Sequence, residues 1–115
     1  LGDAIKEGIK VSLHSDMPMA PASPLKLMHA AVNRDNFAGK VAGPNQRISA
    51  IEALRAVTIN SAYVLRLEQM YGSIEVGKYA NFTILDSNPL SVRGNEIKNI
   101  KILGTVLKGN QLFIN

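Results

Sequence analysis

Cysteine is absent from this chain, and so is tryptophan. Without cysteine, disulfides and thiolate metal sites are excluded. Histidine is scarce, with His14 and His29 the only two, so a three-histidine zinc site cannot be assembled within these residues. Aromatic residues make up 5% and offer no stacking platform of the kind single-stranded nucleic acid needs. No apolar run approaches the length of a bilayer, so no transmembrane helix is expected. Acidic residues are outnumbered, 9 against 13 basic, which leaves a net charge of +4. The basic residues are scattered, and Lys98, Lys101 and Lys108 come nearest to a stripe. That excess reads as a solvated surface rather than a nucleic-acid interface.

What is present suffices for one domain with a core: 115 residues, 46% hydrophobic and 19% charged. The chain opens on Leu1 rather than Met, inside what reads as a helix, L-G-D-A-I-K-E. It is therefore expected to be a segment of something longer, and the lack of a visible leader says little about location.

Local signals divide the chain near Gly72. Asp3–Glu7 reads as a helix end with Gly8 as its terminal glycine. Ile9–Ser15 reads as a buried strand, followed by a rigid loop punctuated by Pro18, Pro21 and Pro24. Ser23-Pro24 is a helix start, and Leu25, Met28 and Val32 share one face of the helix expected over Leu25–Arg34. Asp35–Arg47 reads as a loop. Ser49 and Glu52 form a capping box that opens a helix to about Val57, expected to bury Ile51, Leu54 and Val57. A second short helix, from Thr58 or Asn60 to about Leu65, is stepped off the first because Thr58, Ile59 and Asn60 are weak helix formers.

Beyond Tyr71, glycines punctuate short runs rich in Ile, Val, Phe and Thr. Asn81–Leu85, Ile97–Leu107 and Gln111–Ile114 read as strands, with Gly109-Asn110 as a hairpin turn between the last two. The fold class expected is α/β in the first half and all-β in the second.

The chemistry concentrates in Val11–Pro18, V-S-L-H-S-D-M-P. Alternation puts Ser12, His14 and Asp16 on one face, and Val11, Leu13 and Ser15 on the other. An Asp at the tip of a buried strand is where a parallel barrel keeps its catalytic groups. Such a carboxylate can hold a metal or take a proton from a water bound to one. It can equally cap the turn that follows. His14 can donate a hydrogen bond that orients a ligand, or be a satisfied core histidine. Ser15 and Pro18 flank Asp16 and can shape a rim. Met17 and Met19 can line a substrate pocket or simply pack. His29 is expected to pack or to face solvent.

Several phrases together carry a family resemblance. G-S-I-E-V-G-K-Y-A-N-F-T-I-L-D, Gly72 to Asp86, resembles the signature that leads amidohydrolase-superfamily enzymes out of their barrel into the β-sandwich beside it. Ile48–Tyr63 resembles the family's segment just upstream, and Ser87-Asn88-Pro89-Leu90 its exit, with Asn88 where Asp is common. L-H-S-D-M-P resembles the end of the last barrel strand, and Ala30–Arg34, A-A-V-N-R, the helix after it. The combination is similar to the branch containing N-substituted formamide deformylase.

The resemblance implies the last strand (about 9–16) and helices of a (β/α)8 TIM barrel over residues 1–71, and part of the composite β-sandwich over residues 72–115. It implies a parent that hydrolyses amide or related C–N bonds through a metal-activated water, with a divalent metal, zinc by expectation. The family draws its ligands from H-x-H on the first strand, a carboxylated Lys or Glu, two further His, and a closing Asp. Only the last maps here, onto Asp16, as metal contact and proton shuttle. The chain alone is then expected to hold no metal and to be inactive. The expected partners are a small amide-type substrate and the rest of the barrel, or further copies of the chain. Neither nucleic acid nor membrane is expected, and the location expected is cytoplasmic. The competing expectation is a non-catalytic β-rich module for binding or oligomerisation.

Overall fold

The computed structural model describes residues 1–36 and 38–113. Four helices come first, α1 (Gly2–Lys6), α2 (Pro24–Asn33), α3 (Ala50–Ala56) and α4 (Ile59–Val64). Three strands follow, β1 (Phe82–Leu85), β2 (Ile102–Leu107) and β3 (Asn110–Phe113), in one antiparallel sheet of order β1-β2-β3. No described helix is long and apolar enough to cross a membrane.

The helix boundaries follow from their caps. Ser23 accepts a bond from the Lys26 amide, Pro24 occupies the first turn, and Arg34 closes α2 in the left-handed conformation. At α3, Ser49 and Glu52 satisfy each other's backbone donors in a complete capping box. Gly8, at φ 75, turns the chain out of α1.

The core is built around α2. Leu25, Met28 and Ala31 pack with Ile48, Ala53, Ile97 and Ile100, and Leu13, Leu54 and Leu85 close in around them. Met28 is 1% exposed. Ile51, expected inside, is 41% exposed, while Ala53 and Ala56 are the fully buried positions of α3. The helix turns its small side inward because α2 and α3 lie close together, where a bulky side chain has no room.

The expected strand Ile97–Leu107 is two elements. Gly94–Asn99 is a 3-10 turn, and the strand begins only at Ile102. A 3-10 turn brings side chains three residues apart onto one side, so Ile97 and Ile100 both reach the core beneath α2. The hairpin turn is also displaced by one residue. Leu107 pairs with Asn110, which makes Lys108 and Gly109 the turn residues, at φ 49 and 83. Positive φ at both centres is what a tight two-residue hairpin requires. Ile114, the expected end of the last strand, lies outside the described residues.

The expected strand Ile9–Ser15 is extended but carries no ladder among the described residues. A strand exists by virtue of a neighbour's backbone groups. Those groups are not offered here by another strand.

Candidate functional site

Asp16 sits where the extended segment 9–15 breaks into a turn. Its backbone is left-handed, φ 51, a conformation Asp tolerates better than most residues. Its carbonyl accepts from the Met19 amide at 2.8 Å, closing the turn Asp16–Met19. Its amide donates to Nδ1 of His14 at 3.2 Å. Asp16 and His14 are both exposed, and the Asp16 carboxylate has no hydrogen bond or ion pair among the described residues. The turn-capping and chemical readings thus separate: backbone groups make the turn, and the carboxylate is left over.

The other residues singled out from the sequence surround this point. Ser15 is half-buried, Pro18 is exposed, and Met17 and Met19 are 68% and 82% exposed. The two methionines are largely exposed and follow Asp16 on the loop. Helix contacts hold the segment that carries them: Leu13 N–H donates to Ala56 C=O at 3.1 Å, and Asn60 Nδ2 donates to Val11 C=O at 2.9 Å.

No three His, Asp or Glu side chains converge as a metal cage among the described residues. A single free carboxylate fits one position in the coordination shell of a hard or borderline cation, and no more than one. His14 does not supply a second. Its Nδ1 accepts from the Asp16 amide at 3.2 Å and is engaged there rather than aimed at a shared cation.

His29, expected to pack or to face solvent, packs: it is 7% exposed. Its Nε2 faces the Asp35 carboxylate at 3.2–3.3 Å, and its Nδ1 lies 3.0 Å from Nδ2 of Asn33. Asn33 also donates to Gly94 C=O at 2.8 Å, so the cluster ties α2 to the 3-10 turn. The spacing of His29, Asn33 and Asp35 at one helix end was a legible signal, but Gly94 lies far along the chain. The cluster is structural: both ring nitrogens of His29 and the amide nitrogen of Asn33 have partners within it. An apolar groove of about 700 Å³ between α3, α4 and β1, lined by Leu54, Val57, Ala62 and Phe82, includes neither Asp16 nor His14.

The model of the amidohydrolase family matches residues 1–113. The chain belongs to that family. This amidohydrolase chain is 39% identical over 102 residues to an N-substituted formamide deformylase of Arthrobacter pascens, covering 89% of this chain and 19% of that protein. It is 36% identical over 84 residues to an imidazolonepropionase of Acinetobacter baumannii, covering 71% and 18%. A crystal structure of an amidohydrolase from Thermotoga maritima superimposes with a TM-score of 0.67 at 21% identity, over 96% of this chain and 24% of that one. The amidohydrolase chain thus spans about a fifth of the length of the curated relatives it matches.

Proposed function

We propose that this chain is the C-terminal part of a hydrolase that cleaves amide or related C–N bonds, and that Asp16 is its proton-transferring carboxylate. The observation that carries the reading is the Asp16 side chain itself. It has no partner among the described residues, is exposed, and stands on a left-handed backbone where the segment 9–15 ends. Residues 1–71 are then the C-terminal end of a TIM barrel, with its last strand at about 9–16 and the helices that follow, and residues 72–115 part of the accompanying β-sandwich.

Amide hydrolysis needs a water activated for attack and a proton delivered to the departing nitrogen. Asp16 would offer one carboxylate to a divalent metal, zinc in this reading, which when bound would supply the first by making water more acidic; its other ligands would come from beyond these residues. Asp16 supplies the second: its carboxylate can take a proton from the attacking water and pass it to the leaving amine. His14, with a proton on Nε2, can donate to a carbonyl or carboxylate beside it. Met17 and Met19, exposed on the loop after the strand, border the substrate. Leu65, Ile74, Leu112 and Phe113 are exposed here, and the rest of the protein covers them.

The test is to express the full reading frame that contains this chain and assay it on a panel of N-substituted formamides and other small amides. The substitution Asp16→Asn keeps the shape and the left-handed turn while removing the base. Turnover should fall by about a hundredfold or more, with the fold retained by circular dichroism. Hydrolysis unchanged in Asp16→Asn would overturn the assignment.

A further inference from the structure

The step between α3 and α4 does a task that a continuous helix could not. In an unbroken helix the Ala56 carbonyl would accept from the amide four residues on, that of Asn60. The chain instead leaves the helix at Thr58, φ −126 and ψ −98. Ala56 C=O is released, and it accepts from Leu13 N–H at 3.1 Å and from Ser61 Oγ at 2.8 Å. Two residues past the break, Asn60 turns its side chain back and donates from Nδ2 to Val11 C=O at 2.9 Å. A carbonyl can only accept, so the amide end of Asn60 must be the one that faces it.

Val11 C=O and Leu13 N–H lie on the same edge of an extended chain and bracket Ser12. They are the two groups that a parallel neighbouring strand would engage with its own N–H and C=O. Here the donor comes from a side chain and the acceptor from a helix end. The break therefore stands in for a strand and closes one edge of the segment that ends in His14 and Asp16.

We propose that Asn60 is a positioning residue, which with the freed Ala56 carbonyl forms a clamp that fixes the register of residues 11–13 and hence the placement of Asp16. The role in turnover rests on the reading of Asp16 given above. The clamp itself does not. Weak helix formers at Thr58 and Asn60, unfavourable for the helix alone, are needed because the break is what frees the carbonyl.

The test uses the full-length protein and three variants. Asn60→Asp keeps the shape but sets an acceptor against the Val11 carbonyl. Asn60→Ala removes the donor without repulsion, and serves if the first does not fold. Thr58→Val removes the bond from Thr58 Oγ1 to Leu54 C=O at 2.7 Å, within the same break but without touching the segment. Hydrogen exchange at the Leu13 amide and steady-state kinetics are both read. Asn60→Asp should expose Leu13 to exchange and lower kcat by about tenfold or more, with KM within about twofold, since small misplacements of a reacting group are costly. Asn60→Ala should do so less. Thr58→Val, at similar loss of melting temperature, should leave Leu13 protected and kcat within about twofold.

Leu13 protection unchanged in both Asn60 variants would overturn the clamp, and so would equal loss of kcat in Thr58→Val at equal stability. Failure of the functional reading is seen separately, as full activity in Asp16→Asn. Exchange at Leu13 still decides the clamp in that case.

Discussion

The Asp16 amide donates to Nδ1 of His14 across 3.2 Å, closing a ring over Ser15. An amide can only donate, so this contact needs a lone pair on Nδ1 and orients the imidazole with Nε2–H outward. What matters at position 14 is thus an acceptor two residues ahead of the Asp16 amide. Asn provides one in the same local geometry; Phe does not. His14→Phe should change stability by no more than about 1 kcal/mol, because the residue is exposed. Turnover of the full-length protein should nonetheless fall, and His14→Asn should recover part of it. Thermal melts beside kcat for the two variants make the comparison. Equal activity in both would mean that an acceptor at position 14 is not what counts.

Gly72 and Gly109 have similar backbone angles, φ 93 and 83, but opposite surroundings. A Cβ on Gly72 would lie 2.8 Å from the Cα of Ile59 and 2.9 Å from the Cβ of Ala62, both on α4. A Cβ on Gly109 would meet nothing within 4 Å. Gly72→Ala should therefore lose about 1–2 kcal/mol to the left-handed backbone and a further 1–3 to overlap with atoms that cannot move aside. Gly109→Asn should cost less than about 1 kcal/mol, because Asn tolerates the hairpin turn. Denaturant midpoints of the two variants give the difference. Equal losses would mean that α4 does not approach Gly72 this closely in solution.

The sequence is most legible where the physics is local. Ser23, Ser49 with Glu52, and Gly8 all act within one helical turn, so the caps stand where their residue types place them. Face choice was less legible. Ile51 is the obvious core residue of α3 by hydropathy, yet it is 41% exposed while Ala53 packs into the cluster around α2 with Leu54 partly buried against it. The run Ile97–Leu107 is apolar and β-rich throughout, and nothing in it marks where a 3-10 turn becomes a strand. Ile97 is drawn out of the sheet by contacts with Leu25 and Met28, remote in sequence. Asp16 could be singled out as a carboxylate at a chain break, since that needs only alternation and proline. No further metal-ligating groups gather beside it among the described residues, so the rest of the proposed site has no counterpart to read in this sequence. Asn60 escaped notice for another reason: a helix break reads as weakness unless the carbonyl it frees can be matched to a distant amide.

Glu52 sets the acid limit of α3. Its carboxylate accepts from the Ser49 amide at 2.7 Å and from Ser49 Oγ at 2.6 Å. These bonds hold its carboxyl below the usual carboxylate range, with the bond to Ser49 Oγ the largest cause and the Arg55 charge a smaller one. A carboxyl whose folded pKa lies below its unfolded value binds its proton more readily when unfolded. Its contribution to stability is therefore complete above the ordinary carboxylate range and is lost as pH falls through the lowered folded value. Glu52→Gln removes the charge but keeps an acceptor, so it should lose a few tenths of a kcal/mol up to about 1 kcal/mol at neutral pH, solvent screening keeping the figure small. At low pH the two proteins should converge, since a protonated Glu52 resembles Gln. Melting curves of the parent and Glu52→Gln between neutral and acid pH read this directly. A difference that stays constant with pH would mean that packing, and not the charge on Glu52, sustains the cap.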